Sequence, residues 1–131
     1  MSTIEPDSYR ARRLDTVLDE LLAAVPAVLL LGPRAAGKTT TAARRAASVL
    51  QLDRAEQAEA VRSDPDAILR GLPEPILLDE WQVVPEVLGA VKRLCDARPD
   101  PGRFLLAGSV RAEAEAPLWP GTGRVVTKRL Y

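Results

Sequence analysis

Short, wholly apolar runs alternating with amphipathic stretches predict an α/β domain built on a parallel sheet. Three runs carry the prediction: Ala27–Leu31, Ile76–Leu78 and Phe104–Ala107. Strands with both faces buried read this way, because helices cover the two sides of a parallel sheet. At 131 residues the chain has room for one such domain. Its 47% apolar content is enough for a core and more than a disordered segment carries.

Along the chain, Met1–Ser8 is polar and reads as a frayed end. Leu14, Val17, Leu18, Leu21, Leu22 and Val25 then recur at the spacing of one apolar helix face, and Pro26 stops that helix. The strand Ala27–Leu31 closes on Gly32-Pro33. Lys38–Ser48, rich in Ala and Arg, reads as a helix, and Val49–Asp53 as a short strand. Asp53 is placed to cap a helix over Arg54–Arg62, and Asp64-Pro65 forms an N-cap and first-turn pair for another, ended by Gly71. After the strand Ile76–Leu78, the residues Val84, Val87, Leu88, Val91, Leu94 and Cys95 trace a second helical face. The loop Arg98–Gly102 precedes Phe104–Ala107. A weak helix over Ala112–Ala116, a Pro/Gly-rich loop and a last strand, Val125–Leu130, complete the pattern. Strands alternating with helices imply a sheet whose ligands bind at the carboxyl ends of the strands.

Composition narrows the chemistry. Lys+Arg and Asp+Glu both number 18, so the net charge is zero, which argues against a general binder of nucleic acid or membrane surfaces. A local basic patch stays compatible with that balance. The lone cysteine, Cys95, allows no internal disulfide and reads as a core residue. With no histidine, a His-based triad and the common zinc ligand sets are excluded. The longest apolar stretch, Leu21–Leu31, is broken by Pro26 and falls short of the roughly 20 residues that span a bilayer. The acidic residues before it, Asp15, Asp19 and Glu20, are unlike a signal peptide. The expectation is a cytoplasmic protein.

The residues after each strand carry the function. Gly32-Pro33-Arg34-Ala35-Ala36-Gly37-Lys38-Thr39 fits the P-loop pattern at every position. Its glycines let the backbone curl so that successive N–H groups face phosphate oxygens, and the following helix adds its positive end. Lys38 is placed to reach the β- and γ-phosphates, and the Thr39 hydroxyl to ligate Mg²⁺. Asp79, at the end of Ile76–Leu78, is the second anionic metal ligand that a P-loop requires from a neighbouring strand. Glu80 follows as a candidate general base for the attacking water; an acidic pair that only caps the next helix is the alternative. Ser109, after the third strand, emerges at the same sheet edge, either to contact the γ-phosphate or as part of a Gly-Ser turn. Arg124 is a candidate arginine finger or a solvated arginine. Arg10, Arg12, Arg13, Arg44 and Arg45 read as surface charge, and Trp81 as packing or the mouth of a pocket.

These motifs resemble the ATPase module of a prokaryotic AAA-type family. The resemblance rests on Gly32-Pro33-Arg34, Gly37-Lys38-Thr39-Thr40, Asp79-Glu80-Trp81-Gln82 with Pro85 and Lys92, and Phe104-Leu105-Leu106-Ala107-Gly108-Ser109. In that family a P-loop domain usually precedes a helical segment and a carboxy-terminal, nuclease-like domain of uncharacterised function. The resemblance implies ATP and Mg²⁺ as cofactors, with residues 32–40 around the phosphates. It implies Lys38 and Thr39 on phosphate and metal, Asp79 on metal, Glu80 as base and Ser109 as sensor of the γ-phosphate. Arg124 matches a Gly-Arg before the last strand. Ala107 stands where a threonine is common.

The expected architecture is therefore a three-layer P-loop NTPase sandwich of about five parallel strands, in the order 5-1-4-3-2. Residues 1–13 are read as an amino-terminal segment and 14–131 as the nucleotide-binding core, without the family's lid and carboxy-terminal domain. The expected function is Mg-dependent ATP binding and hydrolysis. A nucleotide-binding module or remnant without turnover, and a small-molecule phosphotransferase, are the alternatives. Nucleotide is the expected ligand and a homo-oligomer or protein partner is open; the neutral charge gives no support to a role on DNA.

Overall fold

The computed structural model describes residues 6–32, 38–108 and 125–129. Helix α1 (Pro6–Ala24) leads into β1 (Ala27–Leu31), followed by α2 (Lys38–Ala43), β2 (Ser48–Gln51), α3 (Ala55–Ser63), α4 (Pro65–Arg70) and β3 (Ile76–Asp79). A 3₁₀ turn (Trp81–Val83), α5 (Glu86–Ala97), β4 (Phe104–Gly108) and β5 (Val125–Arg129) follow. The strands form one sheet in the order β2-β3-β4-β1-β5, every neighbouring pair parallel. This is the expected order 5-1-4-3-2 read from the other edge.

The apolar runs form strands because both of their faces are buried. Along β1, Ala27, Leu29 and Leu31 enter one cluster, while Val28 and Leu30 enter another. In β4, Phe104 and Leu106 alternate with Leu105 and Ala107 in the same way. The first cluster packs against α3, α4, the 3₁₀ turn and α5, through Val61, Leu69, Trp81, Val87 and Val91. The second packs against α1 and α2 through Leu14, Leu18 and Ala42. The result is three layers, with one sheet between two helical faces.

Several local expectations are corrected. The chain is already helical at Pro6, so Pro6–Ser8 is not frayed; proline suits a first helical position, where its missing N–H has no partner to lose. Helix α2 spans only six residues and does not extend to Ser48. Three consecutive threonines, β-branched and weak helix formers, make up half of it. The tightened bonds Arg45 N–H to Ala42 O and Ala46 N–H to Ala43 O close its end. Strand β2 therefore begins one residue early, at Ser48, and ends at Gln51. Asp53 does not cap α3: Arg54 occupies that position without a side-chain bond, and Asp53 lies in the preceding turn. Asp64 does cap α4, its Oδ1 accepting from Ala67 N–H at 3.2 Å, and Gly71 ends that helix.

Arg45 is a tie between elements, not a solvated charge. Its guanidinium pairs with Asp15 at 2.8 Å and Asp19 at 2.7 Å, binding α1 to the end of α2. Cys95 is fully buried in the core, as expected. The expected helix over Ala112–Ala116 lies outside the described residues, as does Leu130.

Candidate functional site

Three strand ends define the site. Gly32, buried at the end of β1, donates its N–H to Gly108 O at 3.3 Å, carrying the ladder one step beyond Leu31. In β3, Asp79 lies opposite Ala107 of β4. The pleat decides which way Asp79 faces: Leu77, two residues earlier, belongs to the cluster under α1 and α2. Asp79 shares that face and so meets α2.

The meeting is a hydrogen bond: Thr39 Oγ1 donates to Asp79 Oδ1 at 3.0 Å. It joins residues forty positions apart, one from the loop motif and one from the acidic pair. Asp79 is 8% exposed, and its backbone carbonyl accepts from Leu52 N–H, fixing the end of β3 against the turn after β2. A hydroxyl and a carboxylate held this close are hard oxygen donors of the type that magnesium selects. Among the described residues no cluster of three or more His, Cys, Asp or Glu side chains forms a metal site. Magnesium commonly takes few ligands from a protein and completes its shell with phosphate oxygens and water.

Glu80 breaks the strand. Its backbone is left-handed, φ 55 and ψ 49, the one non-glycine residue with positive φ among those described. That conformation crowds Cβ against the backbone and costs roughly 1–2 kcal/mol in a residue other than glycine. It reverses the chain directly into the 3₁₀ turn, where Val83 N–H bonds Glu80 O at 3.1 Å. Glu80 is 7% exposed as a residue, and its Oε2 accepts from Gln82 Nε2 at 2.6 Å. From the other side, Arg62 of α3 donates to Val83 O at 2.8 Å, so the turn is held at both ends.

The expected site residues fall into three groups. Gly32, Thr39, Asp79 and Glu80 come together at the carboxyl edge of the sheet. Thr40 follows in α2, exposed, and Lys38 opens α2, with only its backbone described. Pro33, Arg34, Ala35, Ala36, Gly37, Ser109 and Arg124 lie outside the described residues. Trp81 is 1% exposed, which makes it a core residue and not the mouth of a pocket. Gln82 is the residue that residue-level reasoning missed. It carries the resemblance in Asp79-Glu80-Trp81-Gln82 but has no role in the pattern, and its bond to Glu80 depends on a left-handed backbone that no spacing rule shows.

Among the described residues no helix is long and apolar enough to cross a membrane. Residues 24–131 match the AAA domain family. Two uncharacterized mycobacterial proteins, Rv2008c of Mycobacterium tuberculosis and Mb2031c of Mycobacterium bovis, are similar to the chain. Each is 39% identical over 87 residues, covering 64% of this chain and 20% of the relative. The matched stretch is thus about a fifth of the length of those curated relatives. Because the family match takes in every strand of the sheet, the chain belongs to the AAA domain family, a P-loop fold that binds nucleotide.

Proposed function

We propose that the chain binds Mg·ATP at the carboxyl edge of its sheet and hydrolyses it to ADP and phosphate. The observation that carries this reading is the 3.0 Å bond between Thr39 and Asp79, which unites the P-loop's hydroxyl with the acidic strand end. Residues 32–40 would surround the phosphates, with Lys38 as the point charge on their terminal oxygens. Thr39 and Asp79 would hold Mg²⁺, which when bound offsets charge on the phosphates. Glu80, one residue beyond Asp79, accepts the proton of the attacking water. Its low exposure supports the role, because a carboxylate shielded from bulk solvent keeps a fixed orientation. Ser109 is the contact to the γ-phosphate, and Arg124 is held in reserve as an arginine finger. A cytoplasmic setting, where Mg·ATP is available, fits this reading.

Calorimetric titration with Mg·ATP tests the binding half: heat from the wild type and none from Lys38→Ala is the expected result. Phosphate release tests the other half. Glu80→Gln is expected to lower turnover by about a hundredfold or more, the usual share of a general base. Binding with no release above the Glu80→Gln level would reduce the chain to a nucleotide-binding module. Release only in the presence of a second substrate would make it a phosphotransferase.

A further inference from the structure

The amide of Gln82 is bonded at one end and buried at the other. Nε2 donates to Glu80 Oε2 at 2.6 Å, and Oε1 lies over Gly108 at the end of β4, 3.0 Å from where a Cβ on that glycine would stand. Trp81 Nε1 approaches the same point at 2.6 Å. A side chain at position 108 would therefore push out both the indole and the amide. Only glycine lets the 3₁₀ turn lie this close to β4. Both Gln82 Oε1 and Trp81 Nε1 are buried, and among the described residues neither has a hydrogen-bond partner.

A buried, unpartnered amide oxygen is unfavourable for folding. An apolar side chain of the same length would fill the space without that penalty, so what sets glutamine apart here is its one made bond, to Glu80. What the amide supplies is a donor to the Glu80 carboxylate, delivered from a turn that Arg62 holds through Val83 O. The amide is rigid and planar, so with Oε1 packed toward Gly108 its Nε2 is carried to the Glu80 carboxylate.

We propose that Gln82 is the positioning residue of the hydrolytic site. It orients the Glu80 carboxylate, and Gly108 is the seat that orients Gln82. The proposal rests on Glu80 acting as base in ATP hydrolysis. It also links two strand ends: whatever moves the end of β4 moves Gln82, and through it the carboxylate that follows β3.

The test compares the full chain with Gln82→Met, an apolar side chain of similar length, in steady-state ATP hydrolysis beside a thermal melt. The expected result is a kcat about tenfold lower, the share of one hydrogen bond to a charged group. KM for ATP should stay within twofold, and the melting temperature should change little, because losing the bond to Glu80 and losing the orphaned oxygen act in opposite directions. Gly108→Ala, which displaces the amide without altering it, is expected to lower kcat with KM again held. A Gln82→Met kcat within twofold of wild type overturns the proposal while leaving ATP hydrolysis standing. So does a loss confined to KM. Wild-type turnover no higher than that of Glu80→Gln overturns the hydrolytic reading itself and this proposal with it, and the Glu80→Gln control alone reveals that case. Should Gln82→Met fail to fold, its amide is structural and the proposal falls.

Discussion

Thr39 and Asp79 are the residues on which the nucleotide reading turns, and each can be tested separately. Thr39→Val keeps the shape of the side chain and removes the hydroxyl that bonds Asp79. It is expected to weaken Mg·ATP binding about tenfold, a typical effect for one charge-assisted hydrogen-bond or metal contact, with little effect on metal-free ATP. Paired titrations with and without Mg²⁺ check this; equal losses in both would remove Thr39 from the metal. These residues are legible in the sequence because backbone geometry imposes their spacing: a loop must follow one strand, and an acidic residue must end another. Gln82 and the left-handed Glu80 are not legible in that way. Their arrangement depends on one backbone torsion and on the missing side chain of Gly108, which no local pattern encodes.

At the scale of elements, what can be read from sequence divides between strand interiors and helix ends. Ala27–Leu31 is predicted residue for residue, since an apolar run bounded by Pro26 and Gly32-Pro33 leaves no other register. The ends of α2, β2 and α3 shift, because tertiary bonds settle them: Ala47 and Ser48 N–H both turn to Pro75 O, drawing the chain into β2 before a longer α2 can form. The loop before β4 shows the same control. Gly102 has φ +75, donates to Val25 O at 3.0 Å, and a Cβ there would stand 3.1 Å from Leu22 O at the end of α1. Gly102→Ala is expected to cost about 1–2 kcal/mol, measured by urea denaturation.

Ion pairs between elements add a pH dependence whose sign follows from their direction. Hydrogen bonding to Arg45 holds the Asp19 carboxyl below its ordinary value, against the opposing pull of desolvation. Arg93 does the same for Asp66, joining α4 to α5. A carboxyl whose folded-state pKa is lowered contributes stability above the ordinary value of about 4 and loses it as the pH falls through the folded value. The melting-temperature difference between wild type and Arg45→Met is therefore expected to shrink from pH 5 toward pH 3. A constant difference would show that Arg45 acts through packing alone.

For the molecule as a whole, ligand and stability are linked. If Mg·ATP binds the folded chain alone, a concentration one hundred times Kd stabilises it by about 2.7 kcal/mol. A rise in melting temperature that Lys38→Ala abolishes is the expected outcome. The three-layer architecture is legible in the alternation of apolar runs and helices, and the strand order is what the P-loop resemblance implies. The cluster around Arg103, which stabilises the opposite end of the sheet, is not. Arg103 is 6% exposed and chelates Glu74 through Nε and Nη2 at 3.0 and 2.9 Å. Its Nη1 donates to Leu94 O and Arg98 O at 2.6 and 2.8 Å. The last turn of α5 contains no basic residue of its own, so Arg103 supplies from outside the cation that the end of that helix favours.

Arg103 immediately precedes β4, and Gly108 ends it. At about 3.3 Å per residue, one strand therefore separates the arginine from the proposed nucleotide edge by roughly 16 Å. The Arg103 ties and the proposed nucleotide edge thus lie at opposite ends of β4. Removing the guanidinium in Arg103→Met should lower unfolding free energy by about 3 kcal/mol, while the folded fraction keeps its turnover per molecule. Conversely, changes that harden the Arg103 end act away from the proposed site, so heat resistance is expected to rise without the loss of activity that stabilising an enzyme commonly brings.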